Sequence, residues 1–180
     1  NIQLILSIDG RREVHDRMRP FADGAGSYDM VLANMHRVVD SRQGQNYFAR
    51  GTYTAYNTDF AADVLDLADQ GFQRLSLEPV VGKDAPYELT EAHLPELYRQ
   101  YDLLAAEYLR RKAAGCGFEF FHFNVDLQNG PCLVKRLSGC GAGHEYFAVT
   151  PDGDLYPCHP VVGRDGFKVG NVFDGIAKQE

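Results

Sequence analysis

Over the first two thirds of the chain, strand-like runs alternate with helical patterns. That alternation admits few folds, because strands joined through helices pair in parallel rather than through tight hairpins. Residues 2–8 are apolar and β-branched and end on the turn signal Asp9-Gly10. A polar loop follows, after which Ser27 is expected to cap a helix carrying Val31, Leu32, Met35, Val38 and Val39 at helical spacing and stopping near Gly44. Residues 47–54 form the second strand; the next helix is capped by Thr58, presents Phe60, Val64, Leu65 and Ala68 on one face, and closes at Gly71. Residues 72–80 read as a third strand. Thr90 opens a long helix through Leu94, Leu97, Leu103, Leu104, Tyr108 and Leu109 to Gly115, with Pro95 early enough to be tolerated. Residues 118–125 read as a fourth strand. Four strands and three helices do not close an eight-stranded barrel but make a curved parallel sheet, about half of one. The fold class is therefore α/β: a partial (β/α) TIM-like barrel over residues 1–127, followed by a small cysteine-containing β-hairpin module over 128–180.

In such sheets, side chains at the carboxyl ends of strands converge on one crevice. Those ends carry Ser7 and Asp9, Thr54 and Asn57, Glu78, and Asn124 with Asp126. Strand ends are commonly polar, so the pattern points to a site and to no particular reaction.

Charge narrows the partners. Of 180 residues, 18 are Lys or Arg and 25 are Asp or Glu, a formal charge of −7, so attraction to nucleic-acid phosphates or anionic lipid is not expected. The longest apolar runs fall far short of the roughly 20 residues a membrane helix needs. Neither a nucleic acid nor a membrane is an expected partner, and the expected location is the cytoplasm. The chain opens on Asn1 inside a strand and stops in what reads as a helix start after Gly170, as if cut at both ends.

The four cysteines, Cys116, Cys132, Cys140 and Cys158, all lie in the last part of the chain, where the βα rhythm gives way. There a hairpin is expected: residues 145–150, the turn Pro151-Asp152-Gly153, then 154–157. Cys140 precedes its first strand and Cys158 follows its second, so the hairpin brings them close together. Thiolates held this way suit structural zinc, an iron–sulfur cluster or a redox disulfide. No Cys-x-x-Cys knuckle occurs, although His144 and His159 could complete a tetrahedral site; the spacing leaves zinc and iron–sulfur nearly level. The lopsided distribution and lack of a signal sequence favour ligation over secreted disulfides.

The flanking residues go further. Cys140, twelve residues, Gly153, four residues and Cys158, with Tyr156-Pro157-Cys158-His159 and Gly170-Asn171 as landmarks, closely resembles the start of a SPASM domain. That module carries auxiliary iron–sulfur clusters in radical S-adenosylmethionine enzymes. Upstream, Leu6-Ser7-Ile8-Asp9-Gly10 with Val14-His15-Asp16-Arg17-Met18-Arg19-Pro20 resembles the fourth barrel strand and following loop of the peptide-modifying members. Arg50-Gly51-Thr52-Tyr53-Thr54 with Asn57, Leu77-Glu78-Pro79-Val80-Val81, and Leu127-Gln128-Asn129-Gly130-Pro131-Cys132 look like the SCIFF-peptide maturases, which form thioether bridges in a small cysteine-rich precursor peptide. The resemblance runs over essentially the whole chain.

It implies a radical enzyme using [4Fe-4S] clusters and S-adenosyl-L-methionine, acting on a Cys-rich precursor peptide and supplied by an electron donor such as flavodoxin or ferredoxin. It matches Cys140 and Cys158 to auxiliary-cluster ligands and Cys132 to a cysteine of less certain role. Ser7 is the candidate for the cofactor carboxylate or ribose, with a simple strand-end hydroxyl as its alternative; Asp9 is a candidate to orient Arg12 or touch peptide, and Arg17 and Arg19 to pair with a carboxylate or, as exposed loop charges, to be solvated. Arg50, Thr52, Thr54, Asn57 and Glu78 are expected as inward or rim residues for cofactor and peptide. The family's Cys-x-x-x-Cys-x-x-Cys loop is not in these 180 residues, so this piece alone is expected to be inactive. Two other readings stand beside it: another SPASM enzyme, sulfatase-maturating or otherwise peptide-modifying, and a zinc-stabilised, non-enzymatic binding domain.

Overall fold

The alternation resolves into one parallel sheet. In the computed structural model, β1 (Leu4–Ser7), β2 (Tyr47–Tyr53), β3 (Arg74–Pro79) and β4 (Glu119–Phe120) lie in sequence order, each pairing in parallel with the next. The structure describes residues 3–82, 84–124 and 141–176. They belong to two units, Asn1–Asn124 and Val125–Glu180.

Helices make every crossover in the first unit: α1 (Arg12–Met18) and α2 (Tyr28–Ser41) after β1, α3 (Phe60–Asp69) after β2, and α4 (Leu94–Ala113) after β3. Strand periodicity divides the sheet into two faces. One sends Ile8, Tyr47, Ala49, Tyr53, Leu75, Leu77 and Phe120 against Met35, Val39, Phe60, Val64, Leu67, Leu97 and Leu104 from the helices, forming one core. Each large side chain buried there contributes about 1.5–3 kcal/mol. The other face carries Ile5 and Ser7, Phe48, Arg50 and Thr52, and Ser76 and Glu78, with Ser7 paired to Arg50, Arg50 to Ser76 and Thr52 to Glu78. This is the α/β, partial TIM-like arrangement that the sequence predicts.

Several expectations are corrected. The polar loop after Gly10 contains α1, a seven-residue helix too short and too polar to show apolar periodicity. Ser27 occupies the N-cap position of α2, but its hydroxyl donates to the Arg19 carbonyl; the Asp16 carboxylate receives the Tyr28 N–H instead, at 2.8 Å. The N-cap of α3 is Asp59 rather than Thr58, and its carboxylate goes to Arg11. Thr90 does cap, over a 3-10 turn (Glu91–His93) that leads into α4. Along α4, Leu97 and Leu104 face the sheet while Leu94, Leu103 and Leu109 are exposed. The fourth strand is only two residues long, because the chain tightens at once into a 3-10 turn over Phe121–Phe123.

The second unit is a small antiparallel sheet, β5 (Ala148–Val149), β6 (Asp154–Tyr156), β7 (Gly170–Asn171) and β8 (Gly175–Ile176), in that order. The turn expected at Pro151-Asp152-Gly153 is present, with Gly153 at φ +84°. Residues 170–176 are a hairpin rather than a helix start: Gly175 takes φ +83°, and a Cβ on Gly170 would collide with the Gly175 carbonyl. No helix among the described residues is long and apolar enough to cross a membrane.

Candidate functional site

The open face of the parallel sheet forms a groove of about 290 Å³, lined by Ile5, Phe48, Arg50, Ser76, Glu78 and Phe121. Glu78 is its most constrained polar group. Ser76 Oγ donates to Oε1 at 2.6 Å, and His122 Nε2 lies 2.9 Å from Oε2. On the other side of the imidazole, Nδ1 is 2.8 Å from the Tyr101 hydroxyl, itself 3.4 Å from that of Tyr53. Tyr101 and Glu78 thus hold the imidazole at both ring nitrogens. Burial pushes Glu78 upward, but hydrogen bonds from Ser76 and His122 and the nearby charges of His122 and Arg50 outweigh it, so the carboxyl ends below its ordinary value. Burial raises the Tyr101 and Tyr53 phenols, keeping them protonated donors.

At the carboxyl end of β1 the buried Asp9 carboxylate takes three hydrogen bonds. Arg19 grips it through Nε at 2.6 Å and through a second guanidinium nitrogen at 3.0 Å, and the Thr52 N–H donates to Oδ1 at 3.0 Å. The expected partnership with Arg12 is not formed: Arg12 pairs with Asp29. Because β1 stops pairing after Ser7, Asp9 gives the Thr52 N–H an acceptor where the ladder runs out. Behind it, fully buried His15 accepts the Asp9 N–H at Nδ1 (3.3 Å), while Nε2 lies 3.0 Å from Ser27 Oγ, which donates to the Arg19 carbonyl. Burial depresses the His15 pKa, leaving a neutral ring that fixes both members of the Asp9–Arg19 pair. Arg17 is exposed, as expected, and its guanidinium lies 3.4 Å over the Tyr56 ring.

Thr54 and Asn57 are joined to each other. The Thr54 N–H and hydroxyl both donate to Asn57 Oδ1, at 2.8 and 2.9 Å, and Asn57 Nδ2 donates to buried Asp63 at 3.0 Å. Asp63 also accepts from Arg11 through its backbone N–H and Nε. Burial pushes the Asp63 carboxyl up, while Arg11 and Asn57 pull against it. Of the six oxygen- and nitrogen-bearing candidates, Ser7, Thr52 and Glu78 face the open side of the sheet, and Asp9, Thr54 and Asn57 hold the loops behind it. Asn124 donates to Glu119 at 2.7 Å; Asp126 lies outside the described residues.

Sequence reasoning passed over Ser76 and Tyr101 and saw His122 only as part of a strand. Ser76 is two residues before Glu78 on the same strand face, a legible signal; the His122 and Tyr101 contacts come from tertiary packing.

In the second unit, Cys158 follows β6 half-buried and unbridged, with the Tyr146 hydroxyl and His159 Nδ1 each 3.7 Å from its sulfur. A Cβ placed on Gly143 would lie 3.4 Å from that of Pro157, so the segment just after Cys140 packs beside the residue preceding Cys158. Cys132 and Cys140 themselves lie outside the described residues, as does the distance between the expected ligands. No group of three or more His, Cys, Asp or Glu is arranged for a metal among the described residues. Cys158 is nevertheless chemically suited to iron as an unbridged thiol. Cys116 is exposed, its thiol 3.6 Å from the Arg111 carbonyl.

Residues 140–178 match the SPASM family, described as an iron–sulfur cluster-binding domain. The chain is 24% identical over 183 aligned residues to a cysteine-type anaerobic sulfatase-maturating enzyme of Clostridium novyi (strain NT), covering 96% of this chain and 46% of that protein. It is 27% identical to the mycofactocin maturase MftC of Mycobacterium ulcerans (strain Agy99), covering 95% and 44%. The chain is thus similar to these two maturases, and its residues 140–178 to the SPASM domain. The chain spans a little under half the length of those maturases. A solved structure described as native anSMEcpe with bound AdoMet and Cp18Cys peptide shares the fold with TM-score 0.72 at 19% identity, over 96% of this chain and 49% of that one. At that identity the likeness speaks to architecture alone.

Proposed function

We propose that this chain is part of a radical S-adenosylmethionine enzyme that installs thioether cross-links, cysteine sulfur to α-carbon, in a ribosomally made Cys-rich precursor peptide. The observation that carries the reading is a parallel sheet whose open face gathers polar groups at its carboxyl ends, followed directly in sequence by an iron–sulfur cluster-binding match at residues 140–178. The thioether chemistry rests on the sequence resemblance to SCIFF maturases. Bound together, a [4Fe-4S] cluster and S-adenosylmethionine supply a carbon-centred radical, and the protein's task is to position, shield and exclude.

This chain's residues divide that task. Ser7, Thr52 and Glu78 present oxygens to cofactor and peptide from the open face. Asp9, Thr54 and Asn57 act one step behind, holding the ends of β1 and β2 so that those oxygens keep their spacing. Cys158 and Cys140 hold iron in the auxiliary domain, with Cys132 as a further ligand. An electron donor such as flavodoxin or ferredoxin, and a cytoplasmic location, belong to the same reading.

The test is anaerobic incubation of the reconstituted full-length protein with reductant, cofactor and a short synthetic Cys-rich precursor peptide. Mass spectrometry should show loss of two hydrogen atoms for each bridge. An unchanged peptide mass rejects thioether formation. A second reading, a sulfatase-maturating or other peptide-modifying SPASM enzyme, is favoured by the Clostridium novyi relative; conversion of a sulfatase peptide with no change in the Cys-rich one would select it.

A further inference from the structure

A second cavity, of about 290 Å³, opens at the carboxyl ends of β1 and β2 among Asp9, Met18, Arg19, Thr52, Val80 and Tyr87. Its polar wall is fixed before anything binds. Arg19 is tied at its carbonyl by Ser27 and at its guanidinium by two hydrogen bonds to Asp9. Those bonds use Nε and one N–H of a terminal nitrogen, so the outer edge of the fork has no partner among the described residues, and the side chain is 43% exposed. Neither has the Thr52 hydroxyl, whose backbone N–H is held by the same carboxylate. Met18, Val80 and Tyr87 supply the cavity's apolar lining. Val81, the next residue after Val80, is 96% exposed, and Tyr56 in the loop after β2 is 39% exposed, so the loops at this end of the strands keep apolar surface in water.

The charge balance selects the ligand. Asp9 already neutralises Arg19, so a carboxylate entering here would meet a pair with no net charge and an anion behind it. A neutral acceptor suits the free guanidinium edge better, and a donor suits the Thr52 hydroxyl. A main-chain amide supplies both, its carbonyl to Arg19 and its N–H to Thr52, leaving the attached side chain to fill the apolar wall. The volume admits one aliphatic side chain of that peptide unit.

We propose that this rim cavity is a subsite for the peptide substrate, taking one residue with an apolar side chain and reading its main-chain amide through Arg19 and Thr52. It rests on the proposed peptide-modifying function and adds to it a place and a preference. Arg19 is a preorganised recognition group here, since binding freezes no further rotamers in it.

The test uses the full-length reconstituted protein and a fluorescein-labelled synthetic Cys-rich precursor peptide, with affinity read by fluorescence anisotropy and no reductant present. Val80→Trp fills the cavity from a half-buried position and should raise Kd at least tenfold. Arg19→Lys, which keeps the charge facing Asp9 but loses the planar fork, should raise it severalfold. Melting temperature and iron content serve as fold controls. An unchanged Kd in a folded Val80→Trp protein overturns the subsite, whether or not the wild type cross-links the peptide. Wild-type binding without cross-linking refutes the proposed reaction and leaves the Kd comparison decisive for the subsite.

Discussion

His15 shows how much a single buried side chain can organise. It has no solvent exposure, and each ring nitrogen has one partner. Burial is the main cause of its depressed pKa, aided by Arg19 and opposed by Asp9 and Asp16. The folded protein therefore declines a proton that the unfolded chain accepts below about pH 6.5. Stability falls as pH drops from that value toward the folded pKa, then levels. His15→Gln should flatten this slope between pH 7 and 5.5 in thermal unfolding; an identical slope would place its origin elsewhere. His15→Ala, which strands the Asp9 N–H beside a cavity, should cost about 2–4 kcal/mol in the same measurement. Glu78 has the opposite sign: its pKa is depressed, so whatever it contributes to stability is present above the ordinary glutamate value and lost as pH falls through the lower, folded one. Replacing His122 with Ala removes the imidazole that hydrogen-bonds Oε2 and should raise the Glu78 pKa, readable as an upward shift of its side-chain carboxyl titration by carbon NMR. Glu78 was legible in the sequence as a strand-end carboxylate. Its restraint by His122 and Tyr101 was not, since those residues lie 44 and 23 positions downstream and meet it only after β3 and β4 pair.

Among the elements, the apolar strands and the longer helices were legible because burial imposes a period on them. Where polar contacts decide, the sequence misled. Helix α1 carries almost no apolar stripe; it is held by His15 and, just before it, by Arg11, which reaches across to Asp63 on α3. Losing the Asp63 carboxylate leaves Arg11 and Asn57 without their shared acceptor, so Asp63→Ala should cost about 3–5 kcal/mol in chemical denaturation. The spacing of β1 and β2 depends on Gly51, where a Cβ would strike the Ile8 carbonyl and the Asp9 Cα. Gly51→Ala should push β1 away from β2 and lower the melting temperature by several degrees. An unchanged melting temperature would show that the strands can yield there. The end of the chain misled for a different reason: Gly170 and Gly175 serve a tight hairpin, a backbone preference that apolar periodicity cannot register.

For the molecule as a whole, the half-barrel was legible from the count of strands and helices, and the cluster domain from cysteine spacing with its landmarks. The groove and the rim cavity were legible only as a set of strand-end residues, because which of them remain open depends on what their neighbours consume. Asp9 is occupied by Arg19 and the Thr52 N–H, and Thr54 and Asn57 by each other and by Asp63, while the side chains of Ser7, Thr52 and Glu78 stay on the open face. The central claim is that Cys140 and Cys158 bind iron. Its most direct measurement is elemental analysis of the full-length protein, purified and reconstituted without oxygen, beside its Cys140→Ala/Cys158→Ala variant. The account predicts iron and acid-labile sulfide in the wild type and a loss of about four irons per chain in the variant, the content of one [4Fe-4S] cluster. Equal iron in both proteins, or zinc without sulfide in the wild type, would contradict it.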